Sequence, residues 1–259
     1  MTDSMSRSVA GAIKPSADVK SMFDAIVPRY DLLNRVMTGG RDAAWRTLTV
    51  REAAKAGEPA RSAALDLATG TGDLALALEA AGFSSVVGLD FSPVMLEEAR
   101  RKAQKRAGGA SRVTWIEGDA MALPFAAETF GAVTVGFGLR NMPSYDGALR
   151  EAWRVLKPGG VFVCLETSPP PSLLVRRVYD ATMGAVLPVI GGLLSGDRAA
   201  YAYLPESSAR FPNADELARL MHGAGFANVR YLRRGLGAVA IHVARKPQRG
   251  GGNAISPRG

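Results

Sequence analysis

Cysteine, histidine and long apolar runs are scarce in this sequence. Cys164 is the only cysteine in 259 residues, so an internal disulfide is excluded and a reducing compartment is the expected setting. The two histidines do not join Cys, Asp or Glu at the spacing of a metal site, so we expect no bound metal. No apolar run approaches the roughly 18 residues of a membrane-spanning helix. The first residues lack the basic-then-apolar pattern of a secretory signal, so we expect a cytoplasmic protein.

Charge of one sign prevails only mildly. Basic residues outnumber acidic ones by 32 to 24, which gives a formal charge of +8 at pH 7. Such a balance suits nucleic acid, an anionic membrane or an acidic substrate. The excess is scattered along the chain and forms no single basic block. Charge alone therefore does not select a partner.

The chain divides into a helical N-terminal part and a longer part of alternating strands and helices. We expect disordered tails over residues 1–15 and 249–259, because neither has a hydrophobic period. Residues 16–248 are predicted to form one domain, with a helical cap over 16–58 and a substrate-side insertion over 169–212. The cap is predicted to end with one helix over 30–37 and another from about 42 to 56.

The strand–helix alternation predicts a Rossmann-like α/β fold. Its expected seven-stranded sheet is mostly parallel, with helices on both faces. The predicted strands are 63–68, 85–89, 113–117, 132–136, 161–166, 229–233 and 238–244. The predicted helices between them are 73–81, 93–106, 146–155 and 214–224, and a Lys-Pro-Gly-Gly turn at 157–160 ends the third.

A glycine-rich turn follows the first predicted strand. Gly70 and Gly72 permit a tight turn and a close approach of ligand to backbone. With Ala75 the turn also fits the relaxed dinucleotide-binding pattern, and a plain strand–helix turn is a further alternative. Asp66 and Asp73 bracket the turn and would repel a pyrophosphate, whereas they would attract a cation. The acids therefore favour S-adenosylmethionine, which carries a sulfonium and an ammonium and no phosphate.

Two more acids follow the next two strands. Asp90 ends the second strand about 20 residues after the turn, where a carboxylate can bind both ribose hydroxyls. Met95 lies in the helix that follows and is expected to pack near the adenine. After the third strand, Asp119 can accept from the adenine amino group and Ala120 can offer its backbone N–H to a ring nitrogen. This order of acids predicts a class I S-adenosylmethionine methyltransferase.

Several stretches are more restrictive than the turn. They include Tyr-Asp-Leu-Leu-Asn at 30–34, Phe-Gly-Leu-Arg-Asn at 137–141 and Tyr-Ala-Tyr-Leu at 201–204. Over roughly residues 19–246 the chain resembles the UbiE/MenG family of quinone-biosynthesis C-methyltransferases. The resemblance implies methylation of a ring carbon in a polyprenylated quinol, with demethylmenaquinol the leading acceptor. A benzoquinol of the ubiquinone pathway and another small-molecule acceptor stay open as alternatives.

The resemblance also implies particular site residues. Thr71, Asp90, Asp119 and Ala120 are implied as cofactor contacts, and Gly136 stands where the family often has a small polar residue. Following the same resemblance, Arg140 and Asn141 are the catalytic candidates: Arg140 would stabilise a phenolate and Asn141 would orient a water. A loop-fixing role for this pair is the alternative. The expected substrate-side residues are Phe23, Tyr30, Tyr201 and Tyr203, with simple packing equally open for the last two.

The expected partners follow from a prenylated acceptor. We expect a lipophilic quinol substrate, transient contact with the inner face of the cell membrane, and a homodimer as one oligomeric option. The apolar insertion is either an ordinary lid or a groove for the prenyl chain, with Arg176 and Arg177 near anionic headgroups. Nucleic-acid methylation is the competing class. It is disfavoured because the stretch after strand four lacks the Asn/Asp-Pro-Pro-aromatic motif of ring-amine methylation.

Overall fold

The computed structural model describes residues 27, 31, 32, 34, 35, 38–106, 111–177, 181, 207, 208 and 210–249. The predicted tail 1–15, part of the predicted helix 30–37 and most of the insertion lie outside these residues. Arg249, the first residue of the second predicted tail, is described and pairs with Glu128 at 2.7 Å.

Seven strands form one sheet, as predicted. In sequence order, the strands are β1 (Ala63–Leu67), β2 (Ser85–Asp90), β3 (Val113–Glu117), β4 (Phe130–Gly136), β5 (Leu156–Thr167), β6 (Ala227–Arg234) and β7 (Val239–Arg245). Their order across the sheet is β3-β2-β1-β4-β5-β7-β6. Strands β1 to β5 pair in parallel, and β7 runs antiparallel to both β5 and β6. The expectation of a mostly parallel, Rossmann-like sheet is confirmed.

Helices cover both faces of the sheet. The α-helices whose two ends both lie within the described residues and that pack on the sheet are α1 (Asp42–Gly57), α2 (Asp73–Ala80), α3 (Pro93–Arg106), α4 (Tyr145–Val155) and α5 (Ala214–Gly223). Alternate residues of β5 face opposite sides: Val163 packs in the cluster beneath α1 and α2, and Cys164 packs in the cluster beneath α4 and α5. This part of β5 is buried on both faces, which explains why residues 161–165 are all apolar.

Side-chain caps start three of the helices. The Ser92 hydroxyl accepts from Met95 N–H at α3, and Ser144 accepts from Gly147 N–H at α4. Asn213 and Glu216 form a capping box at α5. Each cap satisfies backbone donors that the first helical turn leaves without an intrahelical partner.

The fifth strand begins earlier than predicted. The sequence places the Lys-Pro-Gly-Gly turn between a helix and a strand at Val161, whereas the structure starts β5 at Leu156, which pairs with Phe130. The reason lies in β7's continuation: Gly159 N–H donates to Lys246 O, and Lys246 N–H donates to Gly160 O, each at 2.9 Å. Backbone pairing between β5 and the residue that follows β7 therefore continues through the Lys-Pro-Gly-Gly turn.

Candidate active site

A cavity of about 260 Å³ opens at the carboxyl ends of β1, β2, β3 and β4. Ligands of open parallel sheets bind at this edge, beside the point where the strand order reverses. Seven of the residues predicted for the site line it: Gly70, Asp90, Met95, Asp119, Ala120, Gly136 and Asn141. The cavity is also lined by Ala68, Leu89, Phe91, Ser92, Gly118, Phe137, Gly138, Met142 and Pro143.

Asp90 joins two walls of the cavity. Its side chain is buried, and Oδ2 accepts from Gly70 N–H at 2.7 Å while Oδ1 accepts from Ser92 N–H at 3.0 Å. The first bond holds the glycine-rich turn against β2, and the second holds the start of α3. Each oxygen of the Asp90 carboxylate thus holds one wall of the cavity through a backbone donor.

Asp66 lies beneath the turn and does not line the cavity, contrary to the predicted cofactor contact. Its Oδ2 accepts from the Thr69 hydroxyl at 2.6 Å and its Oδ1 from the Thr134 hydroxyl at 2.7 Å. Burial raises the pKa of this carboxyl to about 6, against the lowering effect of the two hydroxyl bonds; the nearby Asp90 charge raises it further. The Asp66 side chain points from β1 into the core. It therefore holds the glycine-rich turn from the side that faces away from the cavity.

Gly72 is also absent from the cavity wall. Its φ is 84°, and a Cβ added there would lie 2.5 Å from Trp115 Cη2. The indole of Trp115 lies across Gly88 as well, where an added Cβ would be 2.6 Å from Cζ3. Gly72 thus serves helix–sheet packing, which is one of the roles that glycines have in such turns.

The Thr71 hydroxyl is used inside the protein, and Thr71 does not line the cavity, so its implied contact to the cofactor stays a prediction. It donates to Asp31 Oδ1 and accepts from Lys102 Nζ, each at 2.8 Å. Lys102 also reaches Asp31 Oδ2 at 2.6 Å and Asp73 Oδ1 at 2.7 Å. Burial alone would raise the pKa of Asp73, but Lys102 and Arg46 outweigh it and the pKa is lowered. We call Asp31, Thr71, Asp73 and Lys102 the Lys102 cluster.

The third wall carries Asp119 and Ala120. Asp119 Oδ1 accepts from Met121 N–H at 2.8 Å, which orients the carboxylate at the rim. Gly118 N–H donates to Asp90 O at 3.0 Å, so the β3 and β2 ends are held side by side. Met95 is only 3% exposed and forms an apolar surface between them.

The stretch after β4 brings Asn141 to the cavity and turns Arg140 away from it. Arg140 Nη1 lies 2.6 Å from Glu166 Oε1 and 2.8 Å from Phe137 O, and both charged side chains are buried. Arg140 therefore fixes the loop, which was the alternative to its catalytic role. Asn141 Oδ1 is buried and has no hydrogen-bond partner among the described residues.

Sequence reasoning missed Glu166. Its Oε2 accepts from Arg140 N–H at 3.2 Å and its Oε1 from Thr167 N–H at 2.7 Å, besides the guanidinium. The available signal was an acid at the end of a strand, as for Asp90. The sequence did not show that its partner would be the arginine predicted for catalysis.

Four predicted substrate residues, Phe23, Tyr30, Tyr201 and Tyr203, lie outside the described residues. Cys164 and His242 are core residues. Cys164 is fully buried, and His242 Nε2 contacts Ala214 O at 2.9 Å. Among the residues that the structure describes, no group of three or more His, Cys, Asp or Glu side chains is arranged to hold a metal.

Comparisons with known proteins agree with this geometry. The sequence model of the ubiE/COQ5 methyltransferase family matches residues 12–246. A demethylmenaquinone methyltransferase of Thermus thermophilus is 50% identical over 87% of this chain and 100% of that protein. A ubiquinone/menaquinone biosynthesis C-methyltransferase, UbiE, of Desulfotalea psychrophila is 46% identical over 86% of this chain and 88% of that protein.

Solved structures are similar in fold. The [4+2]-cyclase SpnF has a TM-score of 0.65 at 22% identity, covering 93% of this chain and 100% of that one. A Thermotoga maritima S-adenosylmethionine-dependent methyltransferase, described as a possible histamine N-methyltransferase, has a TM-score of 0.57 at 22% identity and covers 87% and 99%. At this identity the likeness concerns the fold alone, and the two named activities differ.

Proposed function

The chain belongs to the ubiE/COQ5 methyltransferase family, and on that premise we propose that it methylates a ring carbon of a polyprenylated quinol with S-adenosylmethionine. Demethylmenaquinol is the proposed acceptor. The observation that carries this choice is the 50% identity to a demethylmenaquinone methyltransferase over that protein's full length. The second candidate is a benzoquinol, because a relative at 46% identity is named for both quinone pathways.

The chemistry of the cavity fits the proposed cofactor. Among the described lining residues, the only charged side chains are Asp90 and Asp119, and none is basic. A site for a dinucleotide needs to accommodate a pyrophosphate, whereas these carboxylates favour a cationic nucleoside. The absence of basic groups from this wall also supports a small-molecule acceptor over a nucleic-acid backbone, which is bound largely by Lys and Arg.

Each wall has a proposed part in binding. When bound, S-adenosylmethionine supplies an electrophilic methyl group on a sulfonium. We assign the ribose hydroxyls to the Asp90 carboxylate, the adenine amino group to Asp119, and a ring nitrogen to the Ala120 N–H. Met95 and Leu89 offer the apolar surface that an adenine ring needs, and Gly70 permits a close approach of the ligand to the backbone.

Asn141 is the proposed catalytic contact at the acceptor. A quinol carbon becomes nucleophilic as its hydroxyl loses a proton, and Asn141 Oδ1 is a buried acceptor at the cavity wall. It can hold the hydroxyl, or a water that takes the proton. Arg140 is a positioning residue in this proposal: through Glu166 and Phe137 O, it holds the turn that carries Asn141.

A methyl-transfer assay tests the proposal. Purified protein with S-adenosylmethionine and demethylmenaquinol is expected to yield a product heavier by one methyl group in mass spectrometry, and a parallel benzoquinol reaction compares the two acceptors. Asn141→Ala is expected to lower turnover by roughly 100-fold, with cofactor affinity unchanged. No methylated quinol from either acceptor, or full turnover in Asn141→Ala, would contradict the corresponding part of the proposal.

A further inference from the structure

Three leucines project into solvent although leucine normally belongs in the core. The side chains of Leu173, Leu174 and Leu236 are 75%, 72% and 80% exposed. Leu173 and Leu174 begin a short helical segment after β5, and Leu236 lies in the turn between β6 and β7. Single exposed leucines need no explanation, but an exposed cluster marks an interaction surface.

The two segments that carry these leucines contact each other. A Cβ added to Gly237 would lie 2.5 Å from Pro171 Cδ, and Ser168 N–H donates to Ala238 O at 2.9 Å. Leu236 is one residue from this contact and Leu173 is two residues from it. The three leucines thus belong to one region of the surface.

The turn holds Leu236 outward in an unfavourable conformation. Its φ of 57° lies in the left-handed region that residues with a Cβ rarely adopt, and its side chain gains no burial in return. Ala238 N–H donates to Gly235 O at 3.1 Å, and an added Cβ at Gly235 would lie 3.3 Å from Trp45 Cζ2. The turn is therefore seated on the core while the side chain of Leu236 projects into solvent.

Arginines flank the leucines. Arg176 and Arg177 follow Leu174 in the same helical segment, and Arg233 and Arg234 precede the Leu236 turn. Residues 168–177 and 233–238 contain no Asp or Glu. Asp215 lies 3.5 Å from Arg233. Exposed leucines beside arginines match the apolar interior and anionic headgroups of a membrane surface.

The surface lies at the functional edge of the sheet. β5 and β6 end at Thr167 and Arg234, and β7 begins at Val239, so the exposed leucines follow the same edge at which the cavity opens beyond β1, β2 and β4. Binding through them would turn this edge toward the bilayer. A prenylated quinol could then reach the cavity without crossing bulk water.

We propose that Leu173, Leu174, Leu236 and the four flanking arginines form a docking surface for an anionic lipid bilayer. This inference rests on the proposed function in one respect: the surface would bring the protein to an acceptor that resides in lipid. Binding itself needs no catalysis. The leucines enter the boundary between headgroups and acyl chains, and the arginines contact lipid phosphates.

Vesicle flotation tests the surface. The probe is a vesicle of phosphatidylcholine with phosphatidylglycerol, compared with phosphatidylcholine alone. The triple variant Leu173→Ser, Leu174→Ser, Leu236→Ser is expected to lower the partition coefficient at least tenfold on anionic vesicles, because each leucine loses apolar contact. Leu32→Ser is the matched control: Leu32 is 51% exposed outside this surface, and its loss should leave binding unchanged.

The charge arm uses Arg176→Gln with Arg177→Gln. Two basic residues near an anionic surface contribute about 1 kcal/mol each, so binding to anionic vesicles should fall about 30-fold. Binding to neutral vesicles should change little. A circular-dichroism thermal midpoint equal to the parent's verifies that each variant is folded, as expected for exposed positions.

Two outcomes separate this inference from the proposed function. Leucine-dependent vesicle binding without methyl transfer to any quinol would retain the surface and overturn the function. Methylation of a water-soluble short-chain quinol, together with vesicle binding that ignores the three leucines, would retain the function and overturn the surface. A leucine-dependent dimer in analytical ultracentrifugation, without vesicle binding, would assign the leucines to a second copy of the chain and also overturn the proposal.

Discussion

At the scale of single residues, the site contains two kinds of carboxylate. Some line the cavity, and others hold the backbone around it. Asp90 and Asp119 line the cavity, whereas Asp66 is buried beneath the turn and Glu166 holds Arg140. All four are acids at or near the carboxyl ends of strands, so their sequence positions look equivalent. Which side of the backbone each side chain takes determines the difference in role.

The buried Asp66 should give stability a recognisable pH dependence. Its folded-state pKa of about 6 lies above the value in an unfolded chain, so the folded protein binds this proton more tightly. The contribution is complete below about pH 4 and is lost as pH rises through 6. Between pH 5 and pH 8, the free energy of unfolding of the parent should fall by about 1 kcal/mol relative to Asp66→Asn. Urea unfolding of both proteins across that range measures the difference, and parallel pH curves would contradict it.

Replacement by asparagine should lower the affinity for S-adenosylmethionine more at Asp90 than at Asp119. Asp90→Asn places an NH2 group against one of two backbone donors, Gly70 N–H or Ser92 N–H. It also loses a charge-assisted bond, so S-adenosylmethionine affinity should fall about 10- to 100-fold. Asp119→Asn keeps a carbonyl oxygen for the adenine amino group and should weaken binding by less. Titration calorimetry compares them; equal losses would refute the assignment of the two carboxylates.

At the scale of elements, the glycine-rich turn is held from three sides. Asp90 binds it from β2, Trp115 of β3 packs on Gly72, and the Lys102 cluster connects it to α3 and to Asp31. None of these partners is a neighbour of the turn in sequence. The turn is therefore positioned before a ligand arrives, which reduces the ordering that binding requires.

Two glycines at similar φ test how much Trp115 contributes. Gly72→Ala combines an unfavourable φ of 84° with a Cβ 2.5 Å from the indole, whereas at Gly82 the φ is 89° and nothing lies within 4 Å. Gly82→Ala should cost about 1 kcal/mol of unfolding free energy. Gly72→Ala should cost roughly 2 to 4 kcal/mol, because overpacking adds to the backbone effect. Chemical denaturation distinguishes them, and equal losses would mean that the indole moves aside freely.

The Lys102 cluster predicts a link between Asp31 and the turn. Lys102→Met keeps most of the aliphatic length but removes the cation that two aspartates share, and should lower stability by about 1 to 3 kcal/mol. Hydrogen exchange is expected to speed up at residues 71–73. Lys105→Met, on an exposed position of the same helix, is the control and should change neither quantity. Equal hydrogen-exchange rates at residues 71–73 in the two variants would contradict the predicted link between Asp31 and the turn.

At the scale of the whole molecule, one edge of the sheet holds both the cavity and the docking surface. Among the described residues, no helix has the length and apolar content needed to cross a bilayer. The opposite edge carries the amino ends of the parallel strands. The parallel sheet thus concentrates proposed binding and docking on one side.

Ligand-induced stabilisation of the intact protein provides a global test of the cofactor. At 100 times its dissociation constant, a ligand that binds only the folded state adds about 2.7 kcal/mol. For a chain of this size, S-adenosylmethionine should therefore raise the thermal midpoint by about 5 to 10 °C. A nicotinamide dinucleotide at equal concentration should leave it unchanged. A higher thermal midpoint with the dinucleotide and an unchanged one with S-adenosylmethionine would contradict the interpretation that the carboxylates bind a cationic nucleoside.

The sequence alone determined the sheet, the order of its helices and the edge that carries the site, because hydrophobic period, caps and glycines act locally and repeat regularly. It also indicated that Asp90, Asp119 and Asn141 follow successive strands. Tertiary structure decided what each of the neighbouring polar groups faces. Arg140 meets Glu166 across 26 residues, Thr71 meets Asp31 across 40, and Asp66 meets Thr134 across 68. Such pairings depend on which strands become neighbours and which side of the backbone each side chain occupies, and no local pattern encodes either.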